Sequence, residues 1–559
     1  MGVAEDSKVL VIGLDGATLD LLLPLMEIGV MPFLSQLFQD GVWGQLETTY
    51  PPVTAPAWAS FMTSKNPGKH GIYEFLYRRK GSVEQVPVNS RMLGGKTLWR
   101  LLSEAGRSVG IVNVPLTYPP SEVNGFIIGD FLTPEGSRDF SYPPELVEEV
   151  EGQFGPYPLY HTQVYSKGGV EKVLEELDRL LRYGTESALY LMREKPWDFF
   201  MIHFAGTDRI QHELWHILDP HHPMHDPGEA ERYREGVLAF YRNTDAAVEK
   251  LVGSVDPETT VIVMSDHGFG PIYKFVNFNP WLMEIGFLRL KEDLLSRLKN
   301  LLFRLGITPA LGYRLAMRLG FARLRLSRGV SKRFIILRLL DQVFLSLANV
   351  DWTRTKAYSQ GNYGQLYVNL KGREPQGVVE PGEEYERVRE ELIQALHQLE
   401  DPENEEKIVE RIFRREDLYW GPQLERAPDL CFLLKERYKA LGTLDFSSHR
   451  VIEPVFGNSG DHRMEGFVVV RGPAVKDKAR LEGARIIDVA PTILYLLGVP
   501  IPSDVDGRVL VAALKEEYVM ANEIVHSETP SEVEILEPAY SPEESEEIKE
   551  RLKGMGYWG

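Results

Sequence analysis

The sequence predicts an α/β protein, specifically a three-layer α/β/α sandwich with a central, mostly parallel sheet and a helical insertion. Short apolar runs that suit strands buried on both faces alternate with longer helical patterns. This alternation is typical of a sheet covered by helices on both sides. The runs are 9–14, 109–112, 198–204, 260–264 and 466–470, and the helical patterns are 92–105, 170–195, 230–253 and 486–497.

The chain is longer than one hydrophobic core usually supports. Its 559 residues predict one large domain with an insertion. We expect a discontinuous catalytic core at 1–275 and 355–510, a basic helical cap at 276–354, and an acidic C-terminal extension with a short helix at 511–559. The cap prediction depends on residues 287–340, which hold 13 Lys/Arg and two acidic residues amid many leucines.

Charge and composition exclude several classes of protein. The formal net charge of −19 disfavours binding to a nucleic-acid polymer. Cys431 is the only cysteine, so no intrachain disulfide is expected. The N-terminal residues lack the pattern of a secretory signal, and no stretch of about 18 uncharged apolar residues suits a membrane-spanning helix. We therefore expect a cytoplasmic protein.

Polar residues follow three of the predicted strands directly. The first strand ends in Asp15-Gly16, the third in Gly206-Thr207-Asp208, and the fourth in Asp266-His267-Gly268. Open α/β sheets bind their ligands at the carboxyl ends of the strands. The sequence therefore predicts a functional site at this edge of the sheet.

These residue types are those that hold transition-metal ions. Asp208 and His212 are four apart, so they share one face of a helix, and His462 lies just before the run 466–470. A mixed set of imidazoles and carboxylates suits zinc or manganese better than magnesium or calcium. Taken singly, Asp15-Gly16 also fits an ordinary turn, and Asp208 with His212 also fits a surface pair. The joint pattern favours a metal site.

Thr54 is the candidate nucleophile. The sequence predicts a helix that begins at Ala55, with Thr54 as its N-cap and Pro56 in the first turn. A capping role alone would explain a threonine there. The same position also exposes the hydroxyl to the positive end of the helix dipole, and a metal ion would activate it further. The N–H of Ala55 could then bind a phosphoryl oxygen.

Seven residues together resemble the alkaline phosphatase superfamily, and in particular its type I phosphodiesterase/nucleotide pyrophosphatase branch. The similarity extends over roughly 8–275 and 355–510, and the segment from Thr54 to Gly71 resembles the nucleophile region of that branch. The seven residues occur in the expected order: Asp15, Thr54, Asp208, His212, Asp266, His267 and His462.

The resemblance implies a metal-dependent phosphohydrolase that cleaves phosphodiesters or phosphomonoesters of a small substrate. It implies two divalent metal ions, zinc or alternatively manganese, and a covalent phospho-threonine intermediate on Thr54. One ion would be held by Asp208, His212 and His462. The other would be held by Asp15, Asp266 and His267, with Thr54 as a further ligand.

Two positions depart from the pattern of the nucleotide pyrophosphatases. An aromatic residue usually follows the threonine, but here it is Ala55. An asparagine usually stands where this chain has Phe75, which Glu74 precedes. Asn113 could supply an amide to the substrate instead, although a role in a turn is the alternative. Thr54 itself argues against a sulfatase and against a cofactor-independent phosphoglycerate mutase.

Other interpretations remain open at this point. A metal-dependent phosphotransferase or mutase could use the same scaffold, and a membrane-associated binding protein is a third class. The basic segment 287–340 could attract an anionic substrate, touch anionic lipid peripherally, or simply pack as a helical unit. Salt-dependent binding to liposomes would single out the lipid interpretation.

Overall fold

The computed structural model describes residues 7–79, 82, 85–165, 168–309, 311, 344–442, 446, 448–528, 530, 534–536 and 540–555. Much of the predicted basic cap therefore lies outside the described residues. The division into core, cap and C-terminal extension stays a prediction.

The strands are numbered here in chain order. They are β1 Val9–Leu14, β2 Val42–Glu47, β3 Leu76–Arg78, β4 Gln85–Pro87, β5 Val109–Val112, β6 Gly125–Ile128, β7 Ser141–Tyr142, β8 Phe199–Phe204, β9 Thr260–Met264, β10 Gly268–Asn277, β11 Ala357–Ser359, β12 Gln365–Val368, β13 Glu400–Asp401, β14 Glu406–Lys407, β15 Val409–Arg414, β16 Leu430–Leu434, β17 Arg437–Leu441, β18 Ile452–Pro454, β19 Gly460–Arg463, β20 Glu465–Arg471, β21 Ala479–Arg485, β22 Ile501–Pro502 and β23 His526–Ser527.

The helices are numbered in the same way. They are α1 Leu19–Glu27, α2 Pro32–Asp40, α3 Thr54–Thr63, α4 Pro67–His70, α5 Leu98–Glu104, α6 Leu146–Phe154, α7 Val170–Glu194, α8 Gly206–Leu218, α9 Pro227–Gly253, α10 Phe278–Glu284, α11 Leu294–Arg304, α12 Glu383–Gln398, α13 Arg415–Leu418, α14 Val489–Leu496, α15 Glu516–Ala521 and α16 Pro542–Gly554.

Within the described residues, nine strands form the central sheet in the order β21-β2-β20-β9-β1-β8-β5-β6-β7. The inner strands β9, β1, β8, β5 and β6 run parallel. Their uninterrupted apolar sequences follow from burial on both faces. The predicted α/β class with a mostly parallel sheet is confirmed.

Alternate residues of the central strands enter two separate hydrophobic clusters, one on each face of the sheet. Val9 and Val11 pack with α3, α5 and α14, whereas Leu10 and Ile12 pack with α1, α2 and α7 to α9. This alternation is the period of two that a strand imposes on its side chains. It produces the helix–sheet–helix layers that the sequence predicts.

One strand differs from the prediction of a parallel sheet. The run 466–470 lies in β20, which is antiparallel to both of its neighbours, β2 and β9. The N-terminal end of an antiparallel strand lies beside the C-terminal ends of its parallel neighbours. Residues just before β20, including His462, therefore lie at the same edge as the ends of β1, β8 and β9.

A third hydrophobic cluster lies between 276 and 446, apart from the central sheet. It packs α10 and α12 against a sheet of order β11-β12-β16-β15 and part of a second sheet, in which β10 pairs with β17 and β18. In α11, the side chains of Leu294, Leu298 and Leu301 are more than half exposed within the described structure. Peripheral lipid contact through 287–340 stays a prediction.

Among the described residues, no single helix is long and apolar enough to cross a bilayer. By length and composition alone, the pair α1 and α2 passes that test jointly, although the two helices are bent by 105°.

Candidate active site

Two groups of candidate metal ligands lie side by side at the carboxyl edge of the central sheet. The Asp15 group consists of Asp15, Asp266 and His267, and the Asp208 group consists of Asp208, His212 and His462. In each group the ligand atoms lie within 4.8 Å of one another, and all six residues are buried. The rings of His267 and His462 stack with centroids 3.8 Å apart, so the two groups adjoin.

The fold brings these residues together through adjacent strand ends. Asp15 follows β1 and Asp266 follows β9, and these strands are parallel neighbours in register. Asp208 and His212 lie on α8, which begins directly after β8, the other neighbour of β1. His462 lies on β19, where it pairs with Phe269 of β10.

The backbone sets the orientation of each histidine ring. Nδ1 donates a hydrogen bond to a backbone carbonyl in each case, from His212 to Gly460 at 2.9 Å, from His462 to Pro52 at 2.8 Å and from His267 to Gly268 at 3.0 Å. Since a carbonyl oxygen only accepts, the neutral rings keep their lone pair on Nε2. All three Nε2 atoms face the ligand groups, as in metal-binding histidines.

The ligand atoms of the Asp208 group lie so close together that a cation between them would relieve their repulsion. His212 Nε2 and His462 Nε2 lie only 3.0 Å apart, and Asp208 Oδ1 is 3.0 Å from His462 Nε2 and 3.5 Å from His212 Nε2. Burial lowers the pKa of His212 to about 3, so this ring is neutral at pH 7. Two Nε2 lone pairs and a carboxylate oxygen converging on one point fit a metal ion.

The carboxylates of the Asp15 group also fit a cation. Burial, together with the charges of Asp266 and Asp208, holds the pKa of Asp15 well above its usual range, and burial raises the pKa of Asp266 to about 7. Among the described residues, no donor makes a hydrogen bond to Asp15 Oδ1 or Asp266 Oδ2. Buried carboxylate oxygens without donors are costly unless a cation compensates them.

Gly16 leaves the space that these ligands need. Its φ is +61°, a left-handed conformation that favours glycine. A Cβ at this position would lie 3.2 Å from Asp208 Oδ1 and 3.2 Å from His267 Cε1. The turn after β1 therefore needs glycine both for its backbone and for the ligands packed against it.

Thr54 lies beside the Asp15 group. Its Oγ1 is 3.2 Å from His267 Nε2, and the residue is fully buried. The structure corrects the predicted cap: α3 begins at Thr54 and Val53 is the capping residue. Thr54 is therefore in the first turn, where backbone N–H groups have no acceptor within the helix. Ala55 follows in the same turn and is also buried.

Asn113 lies at the end of β5. Its φ is 60°, and its Oδ1 accepts a hydrogen bond from the hydroxyl of Tyr157 at 2.8 Å. This hydrogen bond engages the carbonyl oxygen of the side chain and not the amide nitrogen. Donation of that amide to the substrate stays a prediction, with the role in a turn as the alternative.

Two positioning residues were missed by the sequence reasoning. His203 Nε2 lies 2.7 Å from Asp15 Oδ2, and Tyr363 Oη lies 3.1 Å from His462 Nδ1. Tyr363 also donates to Asp461, whose Oδ1 accepts from Lys439 at 2.9 Å. His203 had one signal, because it is the only polar side chain in the apolar run 199–204.

The fold and these two groups define a class of metal-dependent hydrolase. The sequence matches the family described as type I phosphodiesterase / nucleotide pyrophosphatase over residues 9–450. The chain belongs to this family, within the alkaline phosphatase superfamily. It is therefore a metal-dependent hydrolase of phosphoric ester bonds.

Solved structures with the same fold include phosphonoacetate hydrolase from Sinorhizobium meliloti 1021 in complex with phosphonoformate. The match has a TM-score of 0.53 at 14% identity and covers 88% of this chain and 96% of that one. Human ectonucleotide pyrophosphatase / phosphodiesterase 5 matches with a TM-score of 0.45 at 12% identity, covering 88% and 95% of the two chains. A search among curated proteins gives no match.

Proposed function

We propose that this chain hydrolyses a small phosphate ester through a covalent phospho-threonine on Thr54, with one divalent metal ion in each ligand group. The observation that carries the proposal is the position of Thr54 Oγ1, 3.2 Å from His267 Nε2 in the Asp15 group. The Asp208 group adjoins it through the stacked rings of His267 and His462.

Each part of the site has a defined task in this proposal. Thr54 Oγ1 gives up its proton to solvent and bonds to phosphorus as the bond to the leaving oxygen breaks, and the leaving oxygen takes up a proton from solvent. Water then cleaves the phospho-threonine ester, which releases phosphate and restores the threonine hydroxyl. The N–H of Ala55, in the first turn of α3, would bind a phosphoryl oxygen. Bound cations supply electrostatic stabilisation of the charge that develops on the phosphoryl group.

The donor set favours zinc, with manganese as the alternative. Three imidazole nitrogens and three carboxylates are divided between the two groups. Imidazole suits zinc and other late transition metals, whereas magnesium and calcium prefer sets of oxygen ligands.

Replacement of the nucleophile tests the proposal directly. Thr54→Ala is expected to lower kcat by about 10³-fold or more, because no other group attacks phosphorus, while the metal content per chain stays at two. Thr63→Ala is the matched control: Thr63 is also buried, at the other end of α3, and its hydroxyl donates to the carbonyl of Ala59. Full activity in Thr54→Ala would refute the nucleophile assignment.

A further inference from the structure

A second cavity, of about 490 Å³, lies outside the two metal-ligand groups. Its walls come from 71–79, from the loop and strand 360–373, and from 415–426. The volume is that of sites for small organic ligands. Six lining residues are cationic and two are acidic, so the walls carry an excess of positive charge: Arg78, Arg79, Lys371, Arg373, Arg415, Arg426, Glu74 and Glu425.

Three buried polar atoms in these walls make no hydrogen bond to any described residue. They are Gln365 Oε1, Glu74 Oε2 and Arg415 Nη1, although Arg415 Nη1 lies 3.5 Å from Asp429 Oδ1 in an ion pair. Gln365 is only 1% exposed, so its carbonyl oxygen is well shielded from bulk solvent. Since buried polar atoms are normally satisfied, the two acceptors that face this cavity, Gln365 Oε1 and Glu74 Oε2, indicate a ligand that supplies donors to them.

Gly361 keeps the two oxygens accessible to such a ligand. A Cβ on this residue would stand 1.7 Å from Gln365 Oε1 and 3.4 Å from Glu74 Oε2, so both oxygens converge on the same point. The φ of Gly361 is +88°, which also favours glycine. Burial raises the pKa of Glu74 to about 7, so this carboxyl can accept or donate a hydrogen bond near neutral pH.

The arginines differ in how far their charge is already compensated. Arg78 forms an ion pair with Glu374, and Arg373 binds Asp429 through two nitrogens at 2.6 and 2.8 Å. Arg426 forms no ion pair with a described residue, and its guanidinium lies 5.1 Å from the ring centroid of Tyr77. Arg426 can therefore pair with an anion from outside the protein.

We propose that this cavity binds a small phosphorylated polyol. Its phosphate would pair with Arg426, because guanidinium groups bind phosphate with charge-assisted hydrogen bonds. Its hydroxyls would donate to Gln365 Oε1 and Glu74 Oε2. Binding does not depend on the proposed hydrolysis, so the two proposals can fail separately.

The cavity adjoins the outer layer of the metal-ligand groups. Glu74 is within electrostatic range of Lys439 and Asp461. Lys439 and Asp461 are paired at 2.9 Å, and Tyr363 bridges Asp461 to His462. The bound polyol is therefore either the far part of the substrate or a separate effector.

Calorimetric titration of the full-length, metal-stripped protein with glycerol 3-phosphate tests the site. Stripping the metals removes the competing phosphate site. We expect binding by the parent chain, and weakening of about tenfold in Arg426→Gln and in Gln365→Leu, because each loses one polar contact. Arg437→Gln is the matched control, since Arg437 also lies over a tyrosine, Tyr273, but outside the cavity.

Either of two results would overturn the proposal: no binding at millimolar ligand, or equal binding by Arg426→Gln and the parent chain. If Gln365→Leu does not fold, the comparison of Arg426→Gln with the parent chain still tests the proposal, because Arg426 is partly exposed. The rate of bis-p-nitrophenyl phosphate hydrolysis by the metal-loaded enzyme shows whether the polyol acts as an effector or as part of the substrate. If glycerol 3-phosphate is an effector, adding it changes this rate in the parent chain but not in Arg426→Gln. If it occupies part of the substrate site, it leaves this rate unchanged and inhibits only the hydrolysis of esters that contain a polyol.

Discussion

Single ring nitrogens determine how the ligand groups are held. Each of the three histidines donates from Nδ1 to a carbonyl of the backbone, which leaves Nε2 for a metal. His203 orients Asp15 in a similar way. It contacts Oδ2 of this carboxylate and leaves Oδ1 directed toward His267 of the Asp15 group.

Removing His203 should weaken metal binding without touching a metal ligand. His203→Leu deletes the hydrogen bond to Asp15 and is expected to lower metal affinity by about 10- to 100-fold, as partners of metal ligands usually do. A competitive chelator titration measures it, and His203→Gln, which keeps a donor, should recover part of the loss. His222→Leu is the control, since this buried histidine bonds the carbonyl of Ile272 and the N–H of Met224, away from the proposed ligands. Unchanged affinity in His203→Leu would argue against a positioning role.

At the scale of residues, much of the candidate site could be predicted from the sequence. All six proposed ligands and Thr54 were predicted: Asp15, Asp266 and His267 directly follow strands, Asp208 and Thr54 lie in the first turns of helices, His212 is one helical turn after Asp208, and His462 lies just before an apolar run. His203 and Tyr363 were not, since a buried polar residue inside a strand or loop has no partner visible along the chain. Asn113 was assigned from its place at a strand end, and the bond that its Oδ1 accepts from Tyr157 could not be foreseen from the sequence.

At the scale of elements, the turn from β1 to α1 and the antiparallel pair of β10 and β19 assemble the ligands. The direction of β20 explains why His462 reaches the site, as its chain approaches the carboxyl edge before entering the sheet. An apolar run alone cannot distinguish a parallel from an antiparallel strand, because both can be buried on two faces. The sequence predicted that His462 lies at this edge of the sheet. It did not predict that the antiparallel direction of β20 brings His462 there.

A matched pair of variants distinguishes the effect of crowding at Gly16 from the effect of backbone strain. Gly16→Ala and Gly29→Ala both place alanine at positive φ, +61° and +74°, at a cost of about 1–2 kcal/mol each. A Cβ at Gly29 meets no atom within 4 Å, whereas at Gly16 it meets Asp208, His267 and Phe269. Only Gly16→Ala should also lose metal affinity, by about tenfold or more. Equal metal affinity in the two variants would refute the crowding argument.

For the whole molecule, the layered sandwich was predictable and the third hydrophobic cluster was not. The inner strands β1, β8 and β9 are apolar runs of five or six residues, whereas β11 and β12 are three and four residues long and belong to a separate sheet. Strand β2, between β21 and β20, alternates between buried and more exposed residues, so it lacks the apolar run that marks these inner strands.

Metal removal should destabilise the fold more at high pH than at low pH. The pKa of Asp266 is raised from 3.8 to about 7 in the folded, metal-free protein, so the folded state holds a proton that the unfolded state releases. Its contribution to stability is complete below pH 3.8 and is lost as the pH rises through 7. Between pH 5 and pH 8 the loss is about 2–3 kcal/mol.

Denaturant unfolding of the metal-free protein at both pH values measures this difference. Asp266→Asn has no titrating carboxyl at position 266, so the free energy of unfolding of this variant should change less over the same pH interval. Excess metal at pH 8 should restore the stability of the parent chain, because the cation compensates the ionised carboxylates. A metal-free protein that is more stable at pH 8 than Asp266→Asn would contradict this account.

The central claim is that metal ions in the two groups and Thr54 together cleave phosphate esters. The most direct test strips the protein of metal, reloads it with zinc or with manganese, and follows nitrophenol release from bis-p-nitrophenyl phosphate and p-nitrophenyl phosphate. We predict release that depends on metal and disappears in Thr54→Ala, with the ratio of the two rates defining the preference for diester or monoester. No release with either metal, in protein that still binds two ions, would contradict the claim.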